Sequence, residues 1–230
     1  MKFGIVTFPG SNCDYDAFRA VVDTLGEKAV YLWHKDHDLQ NSDVVILPGG
    51  FSYGDYLRAG SIARFSPIMN EVIAHSRRGG RVVGICNGFQ IACEAGLLPG
   101  ALLRNASLQF VSAPVRIRVE NNATRFTSEY DRRQVLTIPV AHGDGRYTAD
   151  DATLDNLESS GQVVFRYVDI RDESTDGGNP NGSSRNIAGI VNKNGNVIGL
   201  MPHPERALDS ILGSDDGLGF FQSIISTVAA

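Results

Sequence analysis

One cysteine of this chain stands at a sharp turn between two predicted elements. Cys86 lies within Gly-Ile-Cys-Asn-Gly-Phe-Gln at 84–90, between an apolar run and a stretch that predicts a helix. A polar residue flanked by glycines at a strand-to-helix turn is exposed at the strand end, in the layout of a nucleophile elbow. A helix N-terminus also favours the reactive thiolate form of cysteine. This pattern favours a nucleophile over a buried structural cysteine, although most single cysteines are structural.

A histidine and a glutamate follow another apolar run, at 197–201. His203 has a proline on each side, which disfavours helix and keeps the chain extended. Residues two apart then face the same way, so His203 and Glu205 can lie side by side. A carboxylate that holds one imidazole nitrogen leaves the other nitrogen to serve a nucleophile. Alone, the pair is better explained as a solvated turn, but together with Cys86 it indicates a Cys-His-Glu site.

Two glycines end a third apolar run, at 43–47. Backbone N–H groups of such a turn can point into a cleft, and those of Gly50 and Asn87 could form an oxyanion hole. An ordinary tight turn explains the glycines equally well. His142 follows a predicted strand into a turn and is a further candidate for the site. Cys13 and Cys93 lack the elbow and are expected to be structural.

Length and composition exclude several classes of protein. The chain has 230 residues, of which 42% are hydrophobic, and we expect one domain over 1–230 with a sizeable core. A net charge of -5 argues against a nucleic-acid-binding surface. No apolar run approaches the roughly 20 residues that span a bilayer, and the first residues predict a strand rather than a signal peptide. Three cysteines without zinc-like spacing predict a reduced, metal-free, cytoplasmic protein.

Short apolar segments alternate with predicted helices in the first half of the chain. This order predicts an α/β fold with an open, doubly wound, mostly parallel sheet and helices on both faces. Alternation at 113–120, with a partner at 134–140, predicts a small antiparallel insertion. The polar stretch at 172–184 predicts a surface loop, whose first part, 172–178, has no assigned role. Ligands bind such sheets at the carboxyl ends of the strands, where the cysteine, the His-x-Glu pair and the glycines stand.

The motifs together resemble the class I glutamine amidotransferases. Gly84-x-Cys86-x-Gly88-x-Gln90, the Pro-Gly-Gly loop and His203-Pro204-Glu205 carry the resemblance. Longer stretches are similar to the glutaminase subunits of phosphoribosylformylglycinamidine synthases, a family of purine-biosynthesis enzymes. These stretches lie at 8–14, 48–55, 84–90, 141–143, 179–183 and 201–205.

The resemblance implies a mechanism in which Cys86 attacks the side-chain amide of L-glutamine. His203 would carry the proton, Glu205 would orient the imidazole, and the N–H groups of Gly50 and Asn87 would hold the oxyanion. Further residues are expected, from matching family positions, to bind or frame the glutamine: Gln90, Asn105, Ser107 and Phe110.

The resemblance also implies partners. Ammonia would pass to a large synthetase subunit that binds the ribotide, ATP and Mg, usually together with a small bridging subunit. The sequence contains no Gly-x4-Gly-Lys-Ser/Thr motif, so no cofactor is expected in this chain. Neither nucleic acid nor a membrane is expected as a partner.

Two other functions stay open on the sequence. A different α/β enzyme with a strand-end cysteine, related to glyoxalases or proteases, would not need the pair of His203 and Glu205. A weakly active docking or regulatory subunit is the second alternative, and the intact set of cysteine, histidine and glutamate argues against it. Glutamine hydrolysis, measured with and without a synthetase, would distinguish these functions.

Overall fold

The computed structural model describes residues 1–227, which fold around a nine-stranded sheet. The strands are β1 (Lys2–Thr7), β2 (Lys28–Trp33), β3 (Val44–Leu47), β4 (Arg81–Ile85), β5 (Ala101–Leu103), β6 (Val111–Val119), β7 (Val135–His142), β8 (Arg146–Thr148), β9 (Val163–Tyr167), β10 (Ile187–Val191) and β11 (Val197–Leu200). The helices are α1 (Asp14–Arg19), which a π-helical turn continues over Ala20–Thr24, α2 (Pro67–Arg77), α3 (Asn87–Glu94), α4 (Asp151–Ser159) and α5 (Leu218–Ser226).

The strand order of the main sheet is β2-β1-β3-β4-β11-β10-β9-β6-β7. The strands from β2 to β11 pair in parallel, and the remaining strands pair antiparallel. The predicted α/β fold with a mostly parallel, doubly wound sheet is therefore confirmed. The antiparallel strands extend the edge of the same sheet, while β5 and β8 form a separate two-stranded sheet.

The centre of the core lies in the parallel part of the sheet. Every residue of β3, β4 and β11 is buried. A parallel strand without an exposed residue must be covered on both faces, as the near-continuous apolar runs predict. No helix within residues 1–227 combines the length and the apolar character needed to cross a membrane.

The order of the central strands places two predicted site segments together. β4 and β11 are neighbours, with Ile85 opposite Leu200. The N–H of Cys86 donates to the carbonyl oxygen of Leu200 at 2.8 Å. The elbow after β4 and the His-x-Glu segment after β11 therefore leave the sheet side by side, although more than a hundred residues separate them in sequence.

The loop predicted at 172–184 is tied to the sheet. The Asp172 carboxylate pairs with Arg116 of β6, and the Asp172 carbonyl accepts from Arg118 at 2.9 Å. Further along, the side-chain oxygen of Asn179 accepts from the N–H groups of Gly182 and Ser183. These bonds give the second half of the loop a fixed shape beside the end of β7.

Candidate active site

Cys86 occupies a turn that close packing imposes on the backbone. Its φ of 51° and ψ of -105° are rare for a residue other than glycine. A Cβ added at Gly88 would lie 1.8 Å from the carbonyl oxygen of Leu47 in β3. A Cβ at Gly84 would lie 2.7 Å from the carbonyl oxygen of Gly88. Both glycines are therefore steric requirements of the elbow, because α3 begins in direct contact with the sheet.

We expect Gly88→Ala to lower the free energy of unfolding by about 3 kcal/mol, since the added methyl group must push α3 away from β3. Gly177→Ala is the matched control, because its Cβ would meet only the hydroxyl oxygen of Thr175, at 3.7 Å. Denaturant unfolding of both variants measures the difference. Equal stabilities of the two variants would contradict the steric explanation.

His203 and Glu205 form a buried pair. Nδ1 of His203 lies 2.6 Å from Oε1 of Glu205, and both side chains are almost fully inaccessible to solvent. Burial lowers the pKa of His203, but the Glu205 carboxylate and Cys86 outweigh burial and hold this pKa well above its ordinary value. The carboxylate fixes one nitrogen of the imidazole, and the buried Nε2 has no hydrogen-bond partner within residues 1–227.

The imidazole and the cysteine face each other across the glycine loop. The position that a Cβ of Gly49 would take lies 2.7 Å from Cε1 of His203 and 3.4 Å from Cβ of Cys86. A side chain at this position would displace the ring of His203, whereas the contact with Cys86 would be ordinary. Cys86, His203 and Glu205 are thus brought together in the order that a nucleophile, a proton carrier and an orienting carboxylate require.

Cys86 lies on the wall of a narrow cavity. The glycine loop contributes Gly50, Phe51 and Asp55 to its walls, Gln90 lies beside the cysteine, and 141–144 close the opposite side. Two larger clefts lie elsewhere on the surface, but neither is lined by Cys86. The chemistry of the lining residues, rather than volume, identifies the smaller cavity as the candidate site.

The two predicted oxyanion-hole donors lie next to this cysteine. Gly50 lines the cavity with a φ of 130°, where a side chain would be strained. Asn87 is the first residue of α3, so its N–H has no partner within the helix. Their positions suit a pair of N–H donors at the reacting carbon, and their role in the reaction stays a prediction.

Two of the residues expected to bind or frame glutamine have their amides engaged within the protein. Gln90 lines the cavity, and its Nε2 donates to the carbonyl oxygen of Asp144 at 2.6 Å. Asn105 is fully buried, donates to the carbonyl oxygen of His142 at 2.9 Å and accepts from the N–H of Gly145 at 3.0 Å. Asn105 therefore holds the turn after β7 in shape.

Phe110 and Ser107, the other two residues expected to bind or frame glutamine, lie at the edge of the cavity or outside it. Phe110 is half-exposed and stacks on Phe51 at the cavity wall, with 6.4 Å between ring centroids. Ser107 is exposed and does not line the cavity; its hydroxyl oxygen accepts from the N–H of Gln109. The structure thus places Phe110 at the rim and Ser107 outside the cavity.

His142 belongs to the cavity wall, as its position after β7 allows. Burial, followed by the charge of His203, lowers the pKa of His142 to about 4, so the ring is neutral at neutral pH. Nδ1 lies 3.2 Å from the side-chain oxygen of Asn105, and Nε2 lies 3.4 Å from the amide of Asn181. The loop at 172–184 therefore supports the cavity wall through Asn181, while 172–178 stays without an assigned role.

Cys13, which the sequence predicts to be structural, lies beside the pair of His203 and Glu205. It is buried, and its sulfur lies within 4.8 Å of ligand atoms of both His203 and Glu205, a set that could hold a metal ion. Arg206 donates to this sulfur at 3.2 Å, and a guanidinium so close opposes a second cation. Sequence reasoning misses the contact because Cys13 and Arg206 are far apart in the chain.

The fold and the site define a class of protein: an α/β enzyme whose strand-end cysteine is paired with a histidine and a glutamate from the neighbouring strand. Residues 1–215 match the model of the CobB/CobQ-like glutamine amidotransferase domain. The chain belongs to this glutamine amidotransferase family, not to the glyoxalase- or protease-related enzymes that the sequence left open.

Two named relatives and one solved structure are similar to the chain over nearly its whole length. A protein of Chlorobaculum tepidum named phosphoribosylformylglycinamidine synthase subunit PurQ is 60% identical over 226 residues, which are 98% of this chain and 97% of the relative. A Salinibacter ruber protein of the same name is 55% identical over 99% of this chain and 97% of its own length. A solved structure of PurLQS from Thermotoga maritima superposes with a TM-score of 0.87 at 43% identity, covering 99% of this chain and 98% of the other.

Proposed function

We propose that this chain is the glutaminase subunit of a phosphoribosylformylglycinamidine synthase and hydrolyses L-glutamine to glutamate and ammonia. The juxtaposition of Cys86 with the buried pair of His203 and Glu205 is the observation that carries this function. The similarity over nearly the full length to proteins named as PurQ subunits of that enzyme supports the proposed function.

In the proposed reaction, the sulfur of Cys86 adds to the amide carbon of the glutamine side chain. His203 accepts the thiol proton and returns it to the departing nitrogen, so ammonia leaves and a γ-glutamyl thioester remains. Water, activated by the same imidazole, then cleaves the thioester to glutamate and restores the thiol. The N–H groups of Gly50 and Asn87 would stabilise the oxyanion of both steps, each donor contributing ~10²–10³ in rate.

The ammonia would be used by a partner. We place ATP, Mg and the conversion of formylglycinamide ribotide to formylglycinamidine ribotide, a step of de novo purine biosynthesis, on a large synthetase subunit, with a small bridging subunit in the complex. The similarity to the PurQ relatives and to PurLQS supports this assignment. A cytoplasmic location, which keeps the Cys86 thiol reduced, and a single domain over 1–230 are part of the same proposal.

The test is glutamate release from glutamine by the purified chain, first alone and then with candidate synthetase and bridging subunits. We expect release to rise when the complex assembles, with formylglycinamidine ribotide formed in equal amount. Glutamate release without transfer of nitrogen to the ribotide would support the glutaminase activity and contradict the proposed synthetase partner. No release under either condition would overturn the function itself.

A further inference from the structure

The short segment 203–206, which carries the histidine and the glutamate of the site, is held at both ends. The N–H of His203 donates to the carbonyl oxygen of Pro139 in β7 at 2.9 Å. At the other end, Arg206 completes a 3₁₀ turn with Pro204 and Glu205. The side chain of Arg206 reaches the beginning of α1, so the segment is tied between β7 and α1.

The guanidinium of Arg206 has two partners at the beginning of α1. Its Nε and Nη2 donate to Oδ2 of Asp16 at 2.9 and 2.8 Å, and Nη2 also donates to Sγ of Cys13 at 3.2 Å. The thiol of Cys13 in turn donates to the side-chain oxygen of Asn12 at 3.2 Å. Both side chains of the ion pair are about a third exposed, and such pairs add little to the free energy of folding. The main effect of these bonds is to fix the place of the guanidinium.

The carboxylate of Glu205 has few partners of its own. Its side chain is 1% exposed, Oε1 binds His203, and Oε2 is buried without a hydrogen-bond partner within residues 1–227. A buried carboxylate is costly unless positive charge lies nearby. His203 supplies that charge only while it is protonated, and in the proposed reaction it gives its proton to the departing nitrogen. A cation that keeps its charge throughout the reaction is therefore needed, and a guanidinium is such a cation.

Arg206 and Glu205 attract each other. Burial lowers the pKa of the guanidinium, but the bond to Asp16 and the proximity of Cys13 and Glu205 outweigh burial and raise this pKa above its ordinary value. The attraction is mutual, so the guanidinium also stabilises the charge of Glu205. Neither Arg206 nor Asp16 lines the cavity that contains Cys86, so neither residue contacts a ligand there.

We propose that Arg206 is a positioning residue for glutamine hydrolysis: anchored to α1 through Asp16, it holds the turn that carries Glu205 and supplies the lasting positive charge beside that carboxylate. This inference rests on the proposed glutaminase function. An arginine suits the task because its planar group stays charged and can bind two partners at once.

The test measures glutamate release by the assembled complex with Arg206→Gln, Arg206→Lys and Asp16→Asn. The matched control is Arg19→Gln, since Arg19 is an exposed arginine of α1 that pairs with Asp23. We expect Arg206→Gln to lower kcat by about 10- to 100-fold with KM for glutamine unchanged, because the substitution acts on Glu205 and not on the cavity. Arg206→Lys, which keeps the positive charge, should recover most of kcat. Asp16→Asn should lower kcat less than Arg206→Gln does.

An NMR spectrum tests the same role without turnover. The Nδ1 proton that His203 shares with Glu205 should give a signal that moves in Arg206→Gln and returns towards its parent position in Arg206→Lys. In Arg19→Gln the signal should stay at the parent position.

The outcomes separate the two proposals. A folded Arg206→Gln complex with kcat within about twofold of the parent, or Arg206→Lys as impaired as Arg206→Gln, would overturn the role of Arg206. A parent complex that releases no glutamate would instead overturn the glutaminase function, and the NMR comparison would still decide on Arg206. If Arg206→Gln fails to fold, Asp16→Asn decides: a lower kcat at unchanged KM supports the positioning role, and an unchanged kcat overturns it.

Discussion

Replacing Cys86 by alanine should abolish glutamine-dependent formation of the amidine by the assembled complex while leaving ammonia-dependent formation intact. We expect a loss of at least about 10⁴-fold in the first activity, because removal of a nucleophile leaves no route to the thioester. Added ammonium salt bypasses the glutaminase and supplies the synthetase directly. Both rates are measured on the same complex, so the glutamine rate is normalised by the ammonia rate.

Cys93→Ala is the control for this experiment. Cys93 lies in α3, the helix that begins directly after Cys86. Burial raises the pKa of Cys93, so it stays a thiol and takes no part in the reaction. This variant should keep both activities. Loss of both activities in an assembled Cys86→Ala complex, or retention of glutamine-dependent synthesis, would contradict the role of Cys86.

The second large effect is expected for Glu205→Gln, which keeps the shape of the side chain and removes its charge. We expect kcat for glutamine hydrolysis to fall by about 10³- to 10⁴-fold, because the amide no longer holds the imidazole in the required tautomer. The pKa of His203 should also fall towards its ordinary value, since the Glu205 carboxylate is the largest influence that raises it. An NMR titration of the His203 ring follows this pKa without relying on turnover.

Glu129→Gln is the matched substitution at an exposed glutamate and should change neither kcat nor the His203 titration. Thermal unfolding of Glu205→Gln checks that the variant is folded. A folded Glu205→Gln protein with less than a tenfold loss of kcat would show that the pair of His203 and Glu205 is structural rather than catalytic.

The sequence predicts the local parts of this site because each part depends on nearby residues. The elbow at Cys86 can be predicted because Gly84 and Gly88 must lack a Cβ for α3 to pack on β3. The short distances from a Cβ at either position to backbone carbonyl oxygens confirm this requirement. His203 and Glu205 lie side by side as predicted, but the predicted reason is wrong. Pro204–Arg206 forms a 3₁₀ turn with a proline at its first position, where the missing N–H costs nothing, rather than an extended segment. The apolar runs at 43–47 and 197–201 and the predicted strands at 113–120 and 134–140 occur as β3, β11, β6 and β7, each within two residues of its expected ends.

The sequence does not predict which side chains meet across the fold. Cys13 lies near His203 and accepts a hydrogen bond from Arg206, a contact that its sequence position does not indicate. Asp55 belongs to the stretch 48–55 that carries the family resemblance, but its place in the cavity depends on Asn87 and on the turn that contains Asp144. No periodic pattern in the sequence predicts such contacts, because they join segments that follow different strands and are distant in the chain.

The sequence by itself determined the types of the reacting groups and their positions directly after strands: a cysteine between glycines, and a histidine two residues from a glutamate. The tertiary structure alone decided that these groups form one site, because β4 and β11 are paired in register through Ile85 and Leu200. It also decided that Asp55 and Asp144 line the resulting cavity. The physical reason is that strand pairing and burial join segments that are distant in the chain. Sequence patterns, in contrast, depend on residues that are close together in the chain.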